Sequence, residues 1–152
     1  MASTIQDKMR YVGVAYQQFL IAINTDQDCL NQARSVFEQH FYILVSQHRK
    51  ILDSLSIPNP EFLEDSVLLQ TKIVNFTKQF ECFYVDVFEQ FKAQHSGLID
   101  KDSKMAFKCW LQMFDTEYLA YIRQDSVCRE YADILLATTQ LAQQLQSSDK
   151  AG

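Results

Sequence analysis

The apolar residues of this chain recur at alternating steps of three and four, the spacing that places side chains on one face of a helix. The first such stripe predicts a helix over about residues 4–23. Thr25 and Asp26 carry side-chain oxygens that can cap free backbone donors, so we expect a break there. A second stripe begins at Leu30 and predicts a helix that continues to about Leu55.

Prolines end this second helix and begin a long third one. The segment Ile57–Pro60 stops the helix, because the residue before a proline is pushed out of helical angles. Asn59 can cap the next helix, and Pro60 suits its first position. The third helix stays uninterrupted until Gly97, which is predicted to take the left-handed cap. At about 1.5 Å per residue it approaches about 50 Å, so we expect an elongated molecule or a bend near Asp65–Ser66.

The last third of the chain carries two further stripes. Asp100 or Asp102 can cap a fourth helix that ends near Ile122. A polar break at Gln124–Ser126 then precedes a fifth stripe that reaches Leu145, so the two segments form either a helical hairpin or one kinked helix. The pattern predicts an all-α, up-and-down bundle of four to five helices, elongated, with one long central helix.

Low glycine and proline content supports long helices within one domain. The chain has only 3 Gly and 2 Pro among 152 residues, so turns are scarce. The sequence shows no internal repeat, no low-complexity linker and no domain boundary. We predict a single helical bundle domain over residues 1–147 and a frayed polar tail over residues 148–152.

Charge and cysteine spacing narrow the classes of function. The net charge of −5 argues against a dedicated nucleic-acid surface, which relies on clustered Lys and Arg. The 4 Cys lie far apart without a CxxC pair, so we interpret them as reduced core thiols, with two disulfides as the alternative. The sequence has no apolar run long enough to span a bilayer and no secretory signal, which predicts a cytoplasmic protein.

Histidines are the first candidates for chemistry. His40 and His48 lie on the stripe of the second helix, but about 12 Å along the axis separates them, too far for two ligands of one metal. We interpret both as core-edge residues, and a haem held by one histidine is the alternative, although nothing selects one of them. The sequence has neither a GxSxG motif nor a glycine-rich phosphate loop. We therefore predict a protein that is not an enzyme, with no catalytic residue, no metal and no cofactor.

Aromatic residues are abundant, with 11 Phe, 7 Tyr and 1 Trp. Beside its principal apolar stripe, the third helix carries a second, offset aromatic stripe. This helix either sits centrally with neighbours on two sides, or its second stripe contacts another subunit or protein. Trp110 poses the same question on the fourth helix, because Trp is a favoured interface anchor. The candidate partner-binding residues are Tyr84, Phe88, Phe91, Trp110 and Tyr118.

The C-terminal third, from Phe107–Tyr118 through Tyr131–Ala137, resembles a stretch of the accessory subunits of polyhydroxyalkanoate synthases. In that family a Trp precedes an aromatic residue by eight positions, a short polar break follows, and a second amphipathic helix comes next. Trp110, Tyr118 and the break before Val127 reproduce this layout. The resemblance implies a helical, non-catalytic subunit that binds and activates a separate synthase, whose cysteine carries out the polymer chemistry.

Together, the pattern and the resemblance predict a function in protein contact. We expect a non-catalytic helical module for protein–protein interaction, either with a partner such as a polyhydroxyalkanoate synthase or with itself through aromatic helix faces. The alternative is a helical bundle that binds a small ligand or a cofactor.

Overall fold

A computed structural model describes the backbone of residues 2–54 and 60–151, and the side chains of residues 13–46, 48–50 and 65–144. Within these ranges the chain is all-α, with six helices and no strand. The predicted helix end at Leu55 and the predicted cap at Asn59 lie outside the described residues. The helices are α1 (Ala2–Asn24), α2 (Asp26–His40), α3 (Tyr42–Ser54), α4 (Pro60–Lys101), α5 (Ser103–Ile122) and α6 (Asp125–Ala151).

Contacts between residues group the chain into two compact units, and the single domain that the sequence predicts over residues 1–147 stays a prediction. Unit 1 comprises Met1–Ser35 and Glu81–Ala120, and unit 2 comprises Val36–Phe80 and Tyr121–Gly152. Three helices, α2, α4 and α5, contribute residues to both units. The discontinuous composition explains why the sequence shows no linker: the units are joined by helices.

The predicted break after the first helix is confirmed at Thr25. Thr25 Oγ1 accepts a hydrogen bond from the backbone N–H of Asp28 at 3.4 Å, and its hydroxyl is also bonded to the Asp28 carboxylate. This is the arrangement of a helix N-cap, which satisfies a backbone donor that has no partner within the helix.

The predicted second helix is two helices, α2 and α3, which meet at Phe41. The backbone N–H of Phe41 bonds to Phe37 O at 2.9 Å, and that of Val45 bonds to Phe41 O at 3.1 Å. Helical hydrogen bonds therefore span the junction, and no Gly or Pro marks it. The sequence prediction was wrong here because Phe41 also belongs to the apolar stripe, and its side chain is buried.

The third predicted helix is α4, which begins at Pro60 as expected but passes beyond Gly97 to Lys101. The predicted left-handed cap at Gly97 is wrong, since no described glycine has a positive φ. The break lies instead at His95, with φ −123° and ψ 25°. The His95 ring packs against Phe91 at a centroid distance of 4.9 Å. At Asp65–Ser66, where a bend was the predicted alternative, the backbone angles are helical.

The last two helices are α5 and α6, for which the sequence left open a helical hairpin or one kinked helix. The backbone N–H of Met105 donates to Asp102 Oδ1 at 3.2 Å, so Asp102 rather than Asp100 caps α5. The break at Arg123 and Gln124 precedes α6, which begins at Asp125. This helix continues to Ala151, so residues 148–151 are helical and not a frayed tail.

Unit 2 combines aromatic rings from α2 and α4 with aliphatic side chains from α3, α4 and α6. Phe41 packs edge-on against Phe76 at a centroid distance of 5.2 Å, and Phe37 lies 5.5 Å from Phe80. Thr138 is fully buried, and its hydroxyl donates to Ile134 O in the preceding turn at 2.7 Å. The buried aliphatic residues of this unit are Leu44, Leu69, Ile73, Val127, Ile134 and Leu141.

Candidate interaction surface

The second aromatic stripe of α4 faces the core of unit 1. Tyr84, Phe88 and Phe91 are at most 2% exposed, and Trp110 of α5 is 4% exposed. The Trp110 ring lies 4.9 Å from the Phe88 ring in an edge-to-face arrangement, and 5.6 Å from Tyr84 in a similar one. Edge-to-face pairs stabilise a core beyond the apolar area that they bury.

Phe19 of α1 covers this cluster from another helix. Its ring lies 5.3 Å from Phe107 and 5.9 Å from Phe91, and it is 2% exposed. One turn earlier, Tyr16 and Ser103 are joined by a hydrogen bond between their hydroxyl oxygens at 2.6 Å. Within unit 1 the second aromatic stripe of α4 therefore has two neighbouring helices, α1 and α5.

The side of the cluster towards α2 carries a thiol and a phenol. The Tyr84 hydroxyl donates to Gln32 Oε1 at 3.4 Å, and burial, with a smaller contribution from Cys29, raises the pKa of Tyr84. Burial also raises the pKa of Cys29 to about 11. A thiol with this pKa stays protonated near neutral pH, so Cys29 is not an activated nucleophile.

The cysteine prediction needs a correction. All 4 Cys are free thiols, but Cys29 alone is buried. Cys82 and Cys128 are exposed and Cys109 is partly exposed, because they point away from the apolar stripes of α4, α5 and α6. The Cys128 thiol donates to the carbonyl of Ile122 at 2.9 Å.

The predicted anchor residues therefore divide into a buried group and one surface residue. Tyr84, Phe88, Phe91 and Trp110 are core residues of unit 1, so the structure corrects their interpretation as an exposed contact face. Their rings contact one another, and a partner could reach them only if the unit opened. Tyr118 is half-buried, and it remains a candidate for direct contact.

Tyr118 is at the centre of an exposed apolar patch on α5. Leu111, Asp115, Tyr118 and Leu119 follow the i, i+4, i+7, i+8 spacing, which places them on one helix face. We call these four residues the α5 patch. Leu111 is 43% exposed and Leu119 is 45% exposed, whereas the Tyr118 ring stacks on Phe114 at 5.7 Å and an interplanar angle of 23°. The patch thus joins the surface directly to the aromatic core.

Unit 2 exposes aliphatic side chains that the sequence analysis did not single out. A shallow groove of about 180 Å³ lies between α4 and α6, and Leu68 at its side is 56% exposed. Val67 and Val74 stand seven residues apart, off the buried stripe of α4, and this spacing is the signal that could have identified them. Among the side chains of this unit that the structure describes, the exposed large apolar residues are Tyr42, Ile43, Val67, Leu68, Val74 and Leu136.

The two histidines on the predicted stripe have different environments. His40 is exposed at the end of α2, which corrects its interpretation as a core-edge residue. His48 is half-buried, its Nε2 has no hydrogen-bond partner among the described side chains, and burial lowers its pKa. Across the part of the chain with described side chains, no group of three His, Cys, Asp or Glu residues is arranged to hold a metal ion.

Among the described residues, no helix combines the length and the apolar character that crossing a membrane requires. Comparison with protein families, with curated proteins and with solved structures gave no match to this chain.

Proposed function

We propose that this chain is a non-catalytic helical module that binds another protein through the α5 patch. One observation carries the proposal: Tyr118 is held on the buried ring of Phe114 and flanked by the exposed side chains of Leu111 and Leu119. Exposed apolar groups that lie together mark contact sites more often than single ones do.

The geometry of Tyr118 suits an anchor residue. A tyrosine offers a large apolar ring with a polar end, and stacking on Phe114 reduces the freedom that the ring would lose on binding. Asp115 is exposed on the same face between Leu111 and Leu119, so the patch presents a charge beside its apolar side chains.

For the partner, the proposal takes the class that the sequence resemblance implies, a polyhydroxyalkanoate synthase. Tyr118 is one of the residues on which that resemblance rests. Trp110, the other aromatic residue of the pair, supports the patch from the core, since its ring lies 5.6 Å from Phe114. In this proposal the chain binds and activates the synthase and takes no part in the chemistry.

The test uses purified synthase and purified full-length chain. We expect the wild-type chain to bind the synthase and to raise its rate of polymerisation. Tyr118→Ala and Leu119→Asp should each weaken binding by about 30-fold, because loss of an interface anchor costs about 2 kcal/mol or more. Leu136→Asp, an exposed leucine of unit 2 outside the groove, is the control and should bind normally.

Two results would contradict the proposal in different ways. If the wild-type chain does not bind the synthase, the partner class is wrong. If it binds and neither Tyr118→Ala nor Leu119→Asp changes the affinity, the α5 patch is not the contact site. Circular dichroism of each variant checks that the helices are intact.

A further inference from the structure

The groove of unit 2 is formed by matching faces of α4 and α6. Each helix contributes residues at the i, i+3, i+4, i+7 spacing, which defines one helix face. Leu69 and Leu141 are each 3% exposed and form the apolar floor. The lining residues are Asp65, Leu68, Leu69 and Lys72 of α4, and Ala137, Gln140, Leu141 and Gln144 of α6.

Leu68 projects beside this floor. Its side chain is 56% exposed, although it lines the same groove as the buried Leu69 and Leu141. An exposed leucine next to a groove of about 180 Å³ provides both a knob and a hole on one surface. A surface with both features is suited to pair with a second copy of itself.

The charges on this face of α4 are self-complementary. Asp65 and Lys72 are exposed, and neither has an ion-pair partner among the described side chains. They are seven residues apart, or about 10 Å along the helix, too far to pair with each other. The midpoint between them falls between Leu68 and Leu69.

A two-fold axis through that midpoint would bring the opposite charges of two copies together. If a second α4 lies antiparallel across the first, Asp65 of each copy stands opposite Lys72 of the other, and the two Leu68 side chains meet near the axis. Two identical ion pairs then flank one apolar contact. Two-fold dimers are the commonest protein oligomers, and they require this kind of self-complementary surface.

We propose that two copies of this chain associate through an antiparallel α4–α4 contact centred on Leu68 and Leu69, with Asp65 of each copy paired with Lys72 of the other. The occupant of the groove is thus a second copy of the chain. This inference goes beyond the proposed function, because the contact lies in unit 2 and uses no residue of the α5 patch.

Sedimentation velocity over a range of protein concentrations measures the association. The wild-type chain should shift from one to two chain masses as the concentration rises, and Leu68→Asp should remain at one chain mass. Ile21→Asp, at an exposed position of unit 1 outside the α5 patch, should associate like the wild type. A wild-type chain that stays monomeric throughout, or a Leu68→Asp variant that associates normally, overturns the proposal.

Charge reversal tests the register and does not depend on Leu68. Asp65→Lys and Lys72→Asp should each weaken self-association at least ten-fold, because each places like charges opposite one another. An equimolar mixture of the two variants should form a heterodimer, and the double variant should regain self-association. If the single variants associate like the wild type, or if neither the mixture nor the double variant recovers association, the antiparallel contact is wrong.

The two experiments separate this inference from the proposed function. If Leu68→Asp no longer dimerises but binds the synthase normally, the α4 contact serves self-association alone. If Tyr118→Ala no longer binds the synthase but dimerises normally, the α5 patch serves synthase binding alone.

Discussion

The two units use their apolar side chains in different ways. Unit 1 gathers rings from α1, α4 and α5 around Trp110, and its predicted anchors of the α4 stripe are all inside. Unit 2 has an aromatic group around Phe41 and Phe76 and an aliphatic floor on α4 and α6, and it leaves Leu68 and Leu136 exposed. Among the described side chains, unit 1 also leaves large apolar residues exposed, such as Leu111 and Leu119.

This difference shows what a surplus of aromatic residues means. The second aromatic stripe of α4 is covered within unit 1, where Phe19 of α1 contacts Phe88 and Trp110 of α5 contacts Tyr84. Phe76 of the principal stripe contacts Phe37 in unit 2. The contact surfaces that we propose are smaller apolar groups outside the core. They are Tyr118 with Leu111 and Leu119 in unit 1, and Leu68 in unit 2.

The largest expected effect is on the core of unit 1. Trp110→Ala should lower the free energy of unfolding by about 3–5 kcal/mol, because it leaves a cavity among tightly packed rings. Tyr118→Ala, in the same helix but half-buried, should cost about 1 kcal/mol. Urea unfolding followed by circular dichroism measures both. Equal stability of Trp110→Ala and the wild type would show that Trp110 is not part of the core.

A smaller effect is expected at the start of α5. Asp102→Ala removes the acceptor for the Met105 N–H and should cost about 1 kcal/mol. Asp102→Asn keeps a capping oxygen and should be nearly neutral. The same urea titration compares the two variants. If Asp102→Ala is as stable as the wild type, Asp102 does not cap α5.

Gly97 tests the correction made to the end of the long helix. A Cβ at Gly97 meets nothing within 4 Å, and its φ is not positive, so Gly97→Ala should stabilise the chain by about 0.5–1 kcal/mol. Gly13→Ala on α1 is the matched variant and should act in the same direction. A loss of stability in Gly97→Ala alone would favour the left-handed cap.

The smallest effect concerns His48 in unit 2. Burial lowers its pKa below 6.5, so the unfolded chain binds the proton more tightly than the folded chain. Stability from the neutral ring is therefore complete above about pH 6.5 and declines as the pH falls towards the lowered pKa. Urea unfolding between about pH 8 and about pH 5 should show a shallower decline for His48→Gln. If the wild type and His48→Gln lose stability equally as the pH falls, His48 does not cause the decline.

Much of the fold could be predicted from periodicity and caps. Helix starts were predictable at Thr25, Pro60 and Asp102, because capping depends on residues that are close in sequence. The junction at Phe41 could not be predicted, because helical hydrogen bonds and the apolar stripe both continue through it. The break at His95 was assigned to Gly97 because glycine is the usual residue for a helix end.

The candidate site was only partly predictable. Periodicity identifies which side chains share a helix face, but not how many neighbours cover the helix. Tyr118 was found because of its aromatic ring, whereas Leu68 was missed because a single leucine beside the stripe resembles ordinary surface variation. Pairing of Asp65 with Lys72 of another copy likewise requires knowledge of which face is exposed.

The central claim is that the aromatic surplus of unit 1 forms its core, and the fluorescence of Trp110 tests this most directly. Trp110 is the only Trp in the chain and is 4% exposed, so the signal comes from one known position. We expect blue-shifted emission and slow quenching by acrylamide in the folded chain, with both lost in urea. Emission and quenching that are the same in buffer and in urea would contradict the claim, because Trp110 would then be on the surface.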